Sequence, residues 1–177
     1  ASAAPVAQSK ATGFLSTTVP MAAMPPDFDF GSKKAEYRVY PADNLAARSC
    51  ATGSANGNPA SDVAAIGKAC ATPTKLHPLG NVLSGTQKAD ALAQRFPLTA
   101  QAGHCYRVYG SAASTITDFS VFILDSAGAT AARGHADTTR AAAPPDGMVC
   151  FKEADSAVVV VTIGGGEGAF AAQVWSD

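Results

Sequence analysis

The chain has 177 residues, with 13 basic against 14 acidic side chains and a formal charge of −1. That balance supplies no basic footprint for nucleic acid or an anionic membrane surface. Charged residues make up 15% of the chain, and no apolar run reaches the roughly 18 residues that a spanning helix needs. The length of 177 residues suits one domain, or one domain with an extension, burying roughly 70% of its unfolded surface.

Residues 1–35 are rich in Ala, Ser, Thr and Pro, and Pro20, Pro25 and Pro26 break any helix. The opening Ala1-Ser2-Ala3-Ala4-Pro5 resembles the mature side of a signal-peptidase site, which leads us to expect a periplasmic or extracellular protein. A segment so poor in core pattern is ordered most easily by docking, on its own domain or on a neighbouring subunit. Within it, Thr12–Val19 is uncharged and partly β-branched, the composition of a strand added to a sheet edge.

Residues 36–91 read as a loop-rich cap carrying two short helices. Glu36–Tyr40 is a candidate strand ended by Pro41. Ser61-Asp62 offers N-cap chemistry, and Val63, Ile66 and Cys70 then fall on one helical face. Gly53–Asn58 is an exposed turn.

The four cysteines, Cys50, Cys70, Cys105 and Cys150, lack C-x-x-C or zinc spacing, so we read them as disulfides. Of the three possible connectivities we favour Cys50–Cys70 with Cys105–Cys150, because each pair then lies within one structural unit. The first would staple the Gly53–Asn58 loop.

From residue 92 to 177 the pattern changes to short strands: 94–99, 104–110, 116–124, 128–133, 147–152, 157–163 and 168–175. That spacing predicts a mainly β fold, a β-sandwich or jelly roll, with 36–177 forming one compact domain. Phe119, Val121 and Ile123 on one face and Phe122 and Leu124 on the other mark a central strand. Asp125–Gly128 and Pro144–Gly147 are turns. The tetrapeptide Tyr-Arg-Val-Tyr occurs at Tyr37–Tyr40 and again at Tyr106–Tyr109, but the flanks do not align, so we read coincidence rather than duplication.

Gly103-His104-Cys105-Tyr106, Thr117-Asp118-Phe119, Leu124-Asp125 with Gly128, Cys150-Phe151, Gly166-Glu167-Gly168 and Gln173-Val174-Trp175 together resemble the Cys-stapled β-sandwich modules of the bacterial pre-peptidase C-terminal type. The resemblance spans roughly 92–177 and implies a non-catalytic accessory module of secreted or envelope proteins. In that family the strand near Asp118 often carries two acids separated by one residue. Here the second position is Ser120.

Gly164–Ala169 formally fits a dinucleotide fingerprint, but too few residues follow for the required helix and strand, so we read a hairpin loop. There is no G-x-S-x-G elbow and no H-E-x-x-H, which argues against an enzyme. Asp118, Asp125, His135 and Asp137 near strand ends are the candidate metal ligands, with calcium the cation considered, and no D-x-D-x-D-G loop holds them. Trp175, the single Trp, is expected in a core rather than on a ligand platform. The expectation for function is a non-enzymatic extracytoplasmic subunit docking into a larger assembly through residues 1–35. Alternatives are a stand-alone carbohydrate- or polymer-binding module and a secreted hydrolase without a recognisable motif.

Overall fold

A computed structural model describes residues 35–41, 57–136 and 139–177. The N-terminal arm with its Thr12–Val19 segment, Cys50, most of the Gly53–Asn58 loop, and Asp137 lie outside the described residues. The elements in chain order are β1 (Tyr37–Pro41), α1 (Pro59–Thr74), β2 (His77–Lys88), β3 (Gln94–Ala100), β4 (Cys105–Ala112), β5 (Ile116–Leu124), β6 (Thr130–Ala136), β7 (Arg140–Ala143), β8 (Gly147–Phe151) and β9 (Asp155–Ser176). The fold is mainly β and every strand pairing is antiparallel.

β9 organises the sheet. Its first half pairs with β3 and β5, and its second half with β2 and β4. On both flanks the register carries across the gap between the two strands. Lys88 faces Glu167 and, six residues on, Gln94 faces Val161, six back. Likewise Ala112 faces Phe170 and, four residues on, Ile116 faces Gly166, four back. So β2 with β3, and β4 with β5, are each one long course laid along β9 and interrupted at the same level. β7 and β8 add to β4, β1 adds to β8, and β6 adds to β5.

At that level the sheet bends. A strand of 22 residues would run about 70 Å if straight, longer than a domain of this size can accommodate. Gly164–Gly168 supplies the bend. Ahead of it the core side chains fall on odd positions, Ala157, Val159, Val161 and Ile163, and after it on even ones, Phe170, Ala172 and Val174. The flanking course switches in step, from Val108 and Ala112 to Phe119, Val121 and Ile123, through register shifts beside Asp118. Both halves thereby aim apolar faces into one core. The Gly cluster is therefore the interior of a single strand and not the hairpin its composition suggests. The expected strands 157–163 and 168–175 are one element.

The outer face of the β2/β4 half is covered by α1. Odd-numbered Tyr109, Ala171 and Trp175 pack there with Val63, Ile66, Cys70 and Leu76 in a second core. Trp175 is buried as expected, but against the helix rather than between the sheet halves. Its indole lies so close to Gly67 that a Cβ there would come within 2.1 Å of Cζ2. The helix is capped by Asn58, whose Oδ1 accepts from the Ala60 and Ser61 amides at 3.1 and 3.2 Å, with Pro59 as the first helical residue. The cap lies upstream of the expected Ser61-Asp62. One helix occurs among the described residues.

On the side away from β2, Gly134 of β6 brings that strand close to β7, where a Cβ would stand 2.0 Å from the Ala142 carbonyl oxygen. Cys105 and Cys150 are directly paired across β4 and β8 and are disulfide-bonded. Only Tyr106 and Val149 extend that ladder, so the bond fastens β8 and β1 to the sheet. Closing a loop of separation 45 stabilises by about 4 kcal/mol in the chain-entropy model. Cys70 is also disulfide-bonded, and its expected partner Cys50 lies outside the described residues.

Gly166 has φ +80° and a Cβ there would meet the Thr115 carbonyl oxygen at 2.0 Å. Gly166→Ala should destabilise the protein by about 2 kcal/mol or more. Gly128→Ala is the comparison, at φ +81° with open space, and should cost only about 1 kcal/mol. Urea unfolding of the two variants checks this, and equal midpoints would remove the bend's special requirement for glycine.

Candidate functional site

The residues proposed as metal ligands are not gathered together. Asp118 lies near the start of β5 and Asp125 just beyond its end; they are seven positions apart along the strand, about 23 Å. One ion cannot join both. Asp125 is 2% exposed and serves its own turn, its Oδ1 accepting from the Ala129 amide at 2.7 Å. His135 is placed by register opposite Ser120, two residues from Asp118. Asp137 lies outside the described residues. No group of three or more His, Cys, Asp or Glu suited to a metal occurs among the described residues.

The open end of the fold carries a cleft of about 200 Å³, whose walls include His77, Leu79, Thr99, Gln101, His104 and Tyr106. Its rows follow from register: His77 faces Ser176 on β9, and Ser176 faces Tyr106 on β4. The Gln101 amide donates to the Tyr106 hydroxyl at 2.7 Å, joining the two sheet halves at the floor. Beside it, His104 Nδ1 lies 3.3 Å from Asp177 Oδ1 and 3.2 Å from its main-chain oxygen, and the Cys105 amide donates to the same Oδ1 at 2.9 Å. An imidazole oriented by a carboxylate is half of a nucleophile-activating set. The nearby Ser176 hydroxyl is directed instead to the Asp177 carbonyl at 3.5 Å, so Ser176 and His104 do not form a nucleophile and base pair.

Beneath α1 lies a layer of buried polar side chains that sequence reasoning missed. Arg107 is fully buried and donates to the carbonyl oxygens of Pro144, at 3.1 Å, and Pro145. Its guanidinium sits 5.1 Å from the Tyr109 ring centroid, a cation–π contact strengthened by the dry setting. Tyr109 also packs edge-on against Trp175, centroids 6.1 Å apart. Burial is the chief influence raising the Tyr109 pKa above the usual phenol value, with the Arg107 charge opposing it. Asp62 is 1% exposed and pairs with Arg140 at 3.0 Å, and the Ser111 hydroxyl donates to its other oxygen at 3.4 Å. Asp62 had signalled only a helix start. No local pattern connects it to an arginine 78 residues away.

The edge of β2 is the most accessible stretch of sheet. Among the described residues β2 pairs only with β9, and its first six residues are all exposed. Leu79 and Val82 are among the few large apolar side chains left in solvent, with Val39 and Leu92. The Ala89 amide donates to the Gly166 carbonyl at 2.7 Å, which turns Leu83, Gly85 and Gln87 toward β9 and Ser84, Thr86 and Lys88 away from it. On the outward side Gln94 Nε2 donates to the Thr86 carbonyl at 2.9 Å, and the Ala91 amide to the Lys88 carbonyl at 3.2 Å. No described strand takes the Ser84, Thr86 and Lys88 amides. Upstream, Gln173 Nε2 donates to the Leu79 and Gly80 carbonyls where the β2 register shifts.

No family model matches this chain, and no curated protein matches it.

Two outcomes follow from the layer under α1. Arg140→Ala takes the guanidinium from a buried carboxylate and should cost about 3–5 kcal/mol in urea unfolding; a loss below 1 kcal/mol would mean that the pair is not desolvated. Because the Tyr109 pKa is raised on folding, its contribution is fully present below the unfolded tyrosine pKa and is lost as pH rises through the folded one. Phenolate absorbance in the native protein should therefore show a tyrosine ionising above the ordinary range, with stability declining across the same window. Tyr109→Phe removes that late step.

Proposed function

We propose that the chain is a non-enzymatic, extracytoplasmic structural or binding subunit that docks into a larger assembly through residues 1–35. The observation that carries this reading is the edge of β2, unpaired among the described residues, where outward amides of Ser84, Thr86 and Lys88 lie next to exposed Leu79 and Val82. An unpaired edge bearing aliphatic side chains is a template for an added strand. The other edges are guarded. β3 carries Pro97 and Arg95, β1 ends in Pro41, and Gly134 lets β6 close against β7. We read Thr12–Val19 of a neighbouring subunit as the strand offered to β2.

The two disulfide-bonded regions favour an oxidising compartment, periplasmic or extracellular, over a reducing one. The bent sheet with its core between the halves is read as the sandwich of a pre-peptidase C-terminal-like module, with a second short helix expected in the cap. The docking role requires neither cofactor nor catalysis.

Light scattering on the full chain at about 100 µM tests the reading. A dimer or larger species is expected. Removing residues 1–34 should leave a folded monomer, and Thr86→Pro, which deletes an outward amide, should weaken association with unchanged circular dichroism. A full-length protein monomeric at that concentration would sink the proposal.

A further inference from the structure

The outer face of the β3/β5 half has no described helix over it, yet part of it is buried. Across one row, Arg95 of β3 faces Val160 of β9, Val160 faces Phe122 of β5, and Phe122 faces Arg133 of β6. Directly paired residues share a face of a sheet. Val160 is only 5% exposed although its side chain points away from the core, because long neighbours roof it. The Arg133 guanidinium stands 5.5 Å from the Phe122 ring centroid. The next row continues the apolar strip through Pro97, Val158 and Leu124.

Both guanidiniums are exposed at the ends of this row, and among the described residues neither is in an ion pair. Two acids at the strand ends of this half are engaged with the backbone. Asp125 accepts from the Ala129 amide, and Asp155 from the Ser126 amide at 3.0 Å. Three strand spacings put the Arg95 and Arg133 backbones about 14 Å apart. The result is a flat apolar strip with a cation at each end, on a chain whose formal charge is −1. A local cation pair acts within a Debye length whatever the net charge.

We propose that this face binds an acidic polysaccharide of the uronic-acid class, its carboxylates taken by Arg95 and Arg133 and the C–H face of a sugar ring laid along Pro97, Val158 and Leu124. A guanidinium positioned over an aromatic ring, as Arg133 is over Phe122, presents a planar fork suited to a carboxylate. An extended peptide fits less well. Its affinity comes from main-chain pairing, and the central strands here, β9 and β5, already spend their backbone groups on flanking ladders. Nucleic acid needs open rings for stacking, whereas the ring face of Phe122 is taken by Arg133. A membrane needs protruding apolar side chains, and Val160 is roofed. The inference is independent of the docking role assigned to β2.

The test is retention of the full chain on immobilised polygalacturonate in dilute buffer, with dextran, double-stranded DNA and phosphatidylserine vesicles in parallel. Retention on polygalacturonate, reversed by salt and absent on dextran, is expected. Arg95→Ala and Arg133→Ala should each weaken binding about threefold to tenfold, and the double variant should lose at least about tenfold. Arg38→Ala, in β1 on the other half, should bind as the parent does. Near-ultraviolet circular dichroism verifies that each variant is folded. Arg133→Lys keeps the charge but loses the planar fork, and should fall between parent and alanine. Three results would overturn the proposal: no retention on polygalacturonate, retention unchanged in the double variant, or equal retention on DNA or vesicles that survives loss of both arginines.

Discussion

The structure depends on one strand that takes part in both halves of the sheet. β9 is flanked on both sides along most of its length, so the ladders of β2, β3, β4 and β5 are all ladders with β9. A strand shared in this way must fold over to enclose a core, and the fold-over must change which side chains point inward. Gly164, Gly165, Gly166 and Gly168 meet that demand by absence of side chain: Cβ atoms there would meet Asp118, Thr117 or Thr115 at 2.0 to 2.7 Å. The neighbouring chain is pulled in tightly at the bend, as the Thr115 hydroxyl bonded to the Glu167 carbonyl also indicates. The apolar side chains on either side contribute about 1.5–3 kcal/mol each on burial, and the bend lets both sets count toward a single core.

The two outer faces are treated differently. Over the β2/β4 half, α1 excludes water, and polar side chains there are held in fixed relations, Asp62 with Arg140 and Arg107 with the Pro144 and Pro145 carbonyls. Breaking a desolvated pair is costly while forming it contributes little net stability, so this layer fixes the position of the helix more than it strengthens the fold. Over the β3/β5 half, arginine side chains do the covering, and their charged ends remain in solvent. One face is committed to internal structure, and the other leaves its charges available.

Much of the fold was legible where local pattern and tertiary demand agree. The apolar faces of 116–124 and the Cys105–Cys150 pairing follow from alternation and spacing. β2 was not legible, because His77-Pro78-Leu79-Gly80-Asn81 carries residues that disfavour strands, and it is a strand only because β9 offers a ladder there. The repeated tetrapeptide makes the limit plain. In β1, Val39 is 51% exposed, while in β4 the equivalent Val108 is fully buried, as is Arg107. The same four residues thus meet solvent at a sheet edge and a dry interior at its centre. Their leading tyrosines converge on one partner even so, Tyr37 and Tyr106 lying 6.0 and 5.8 Å from Phe151 between ring centroids. The pairing of Asp62 with Arg140 and the row from Arg95 to Arg133 depend on three-dimensional adjacency, which no single segment encodes.

The position of β9 in the chain sets an order on folding. β2 and β3 have no described partner except β9, and some 80 residues separate the start of β2 from the start of β9. Ladders between β4 and β7 or between β5 and β6 can close earlier, over shorter loops. The long flanks cannot, so a ribosome would release most of the sheet unpaired before the spine is made. Such high contact order slows folding and leaves strand edges open to wrong partners. A chain of this kind gains most of its native pairing only after β9 has been made, so its folding waits on the element that joins the two halves.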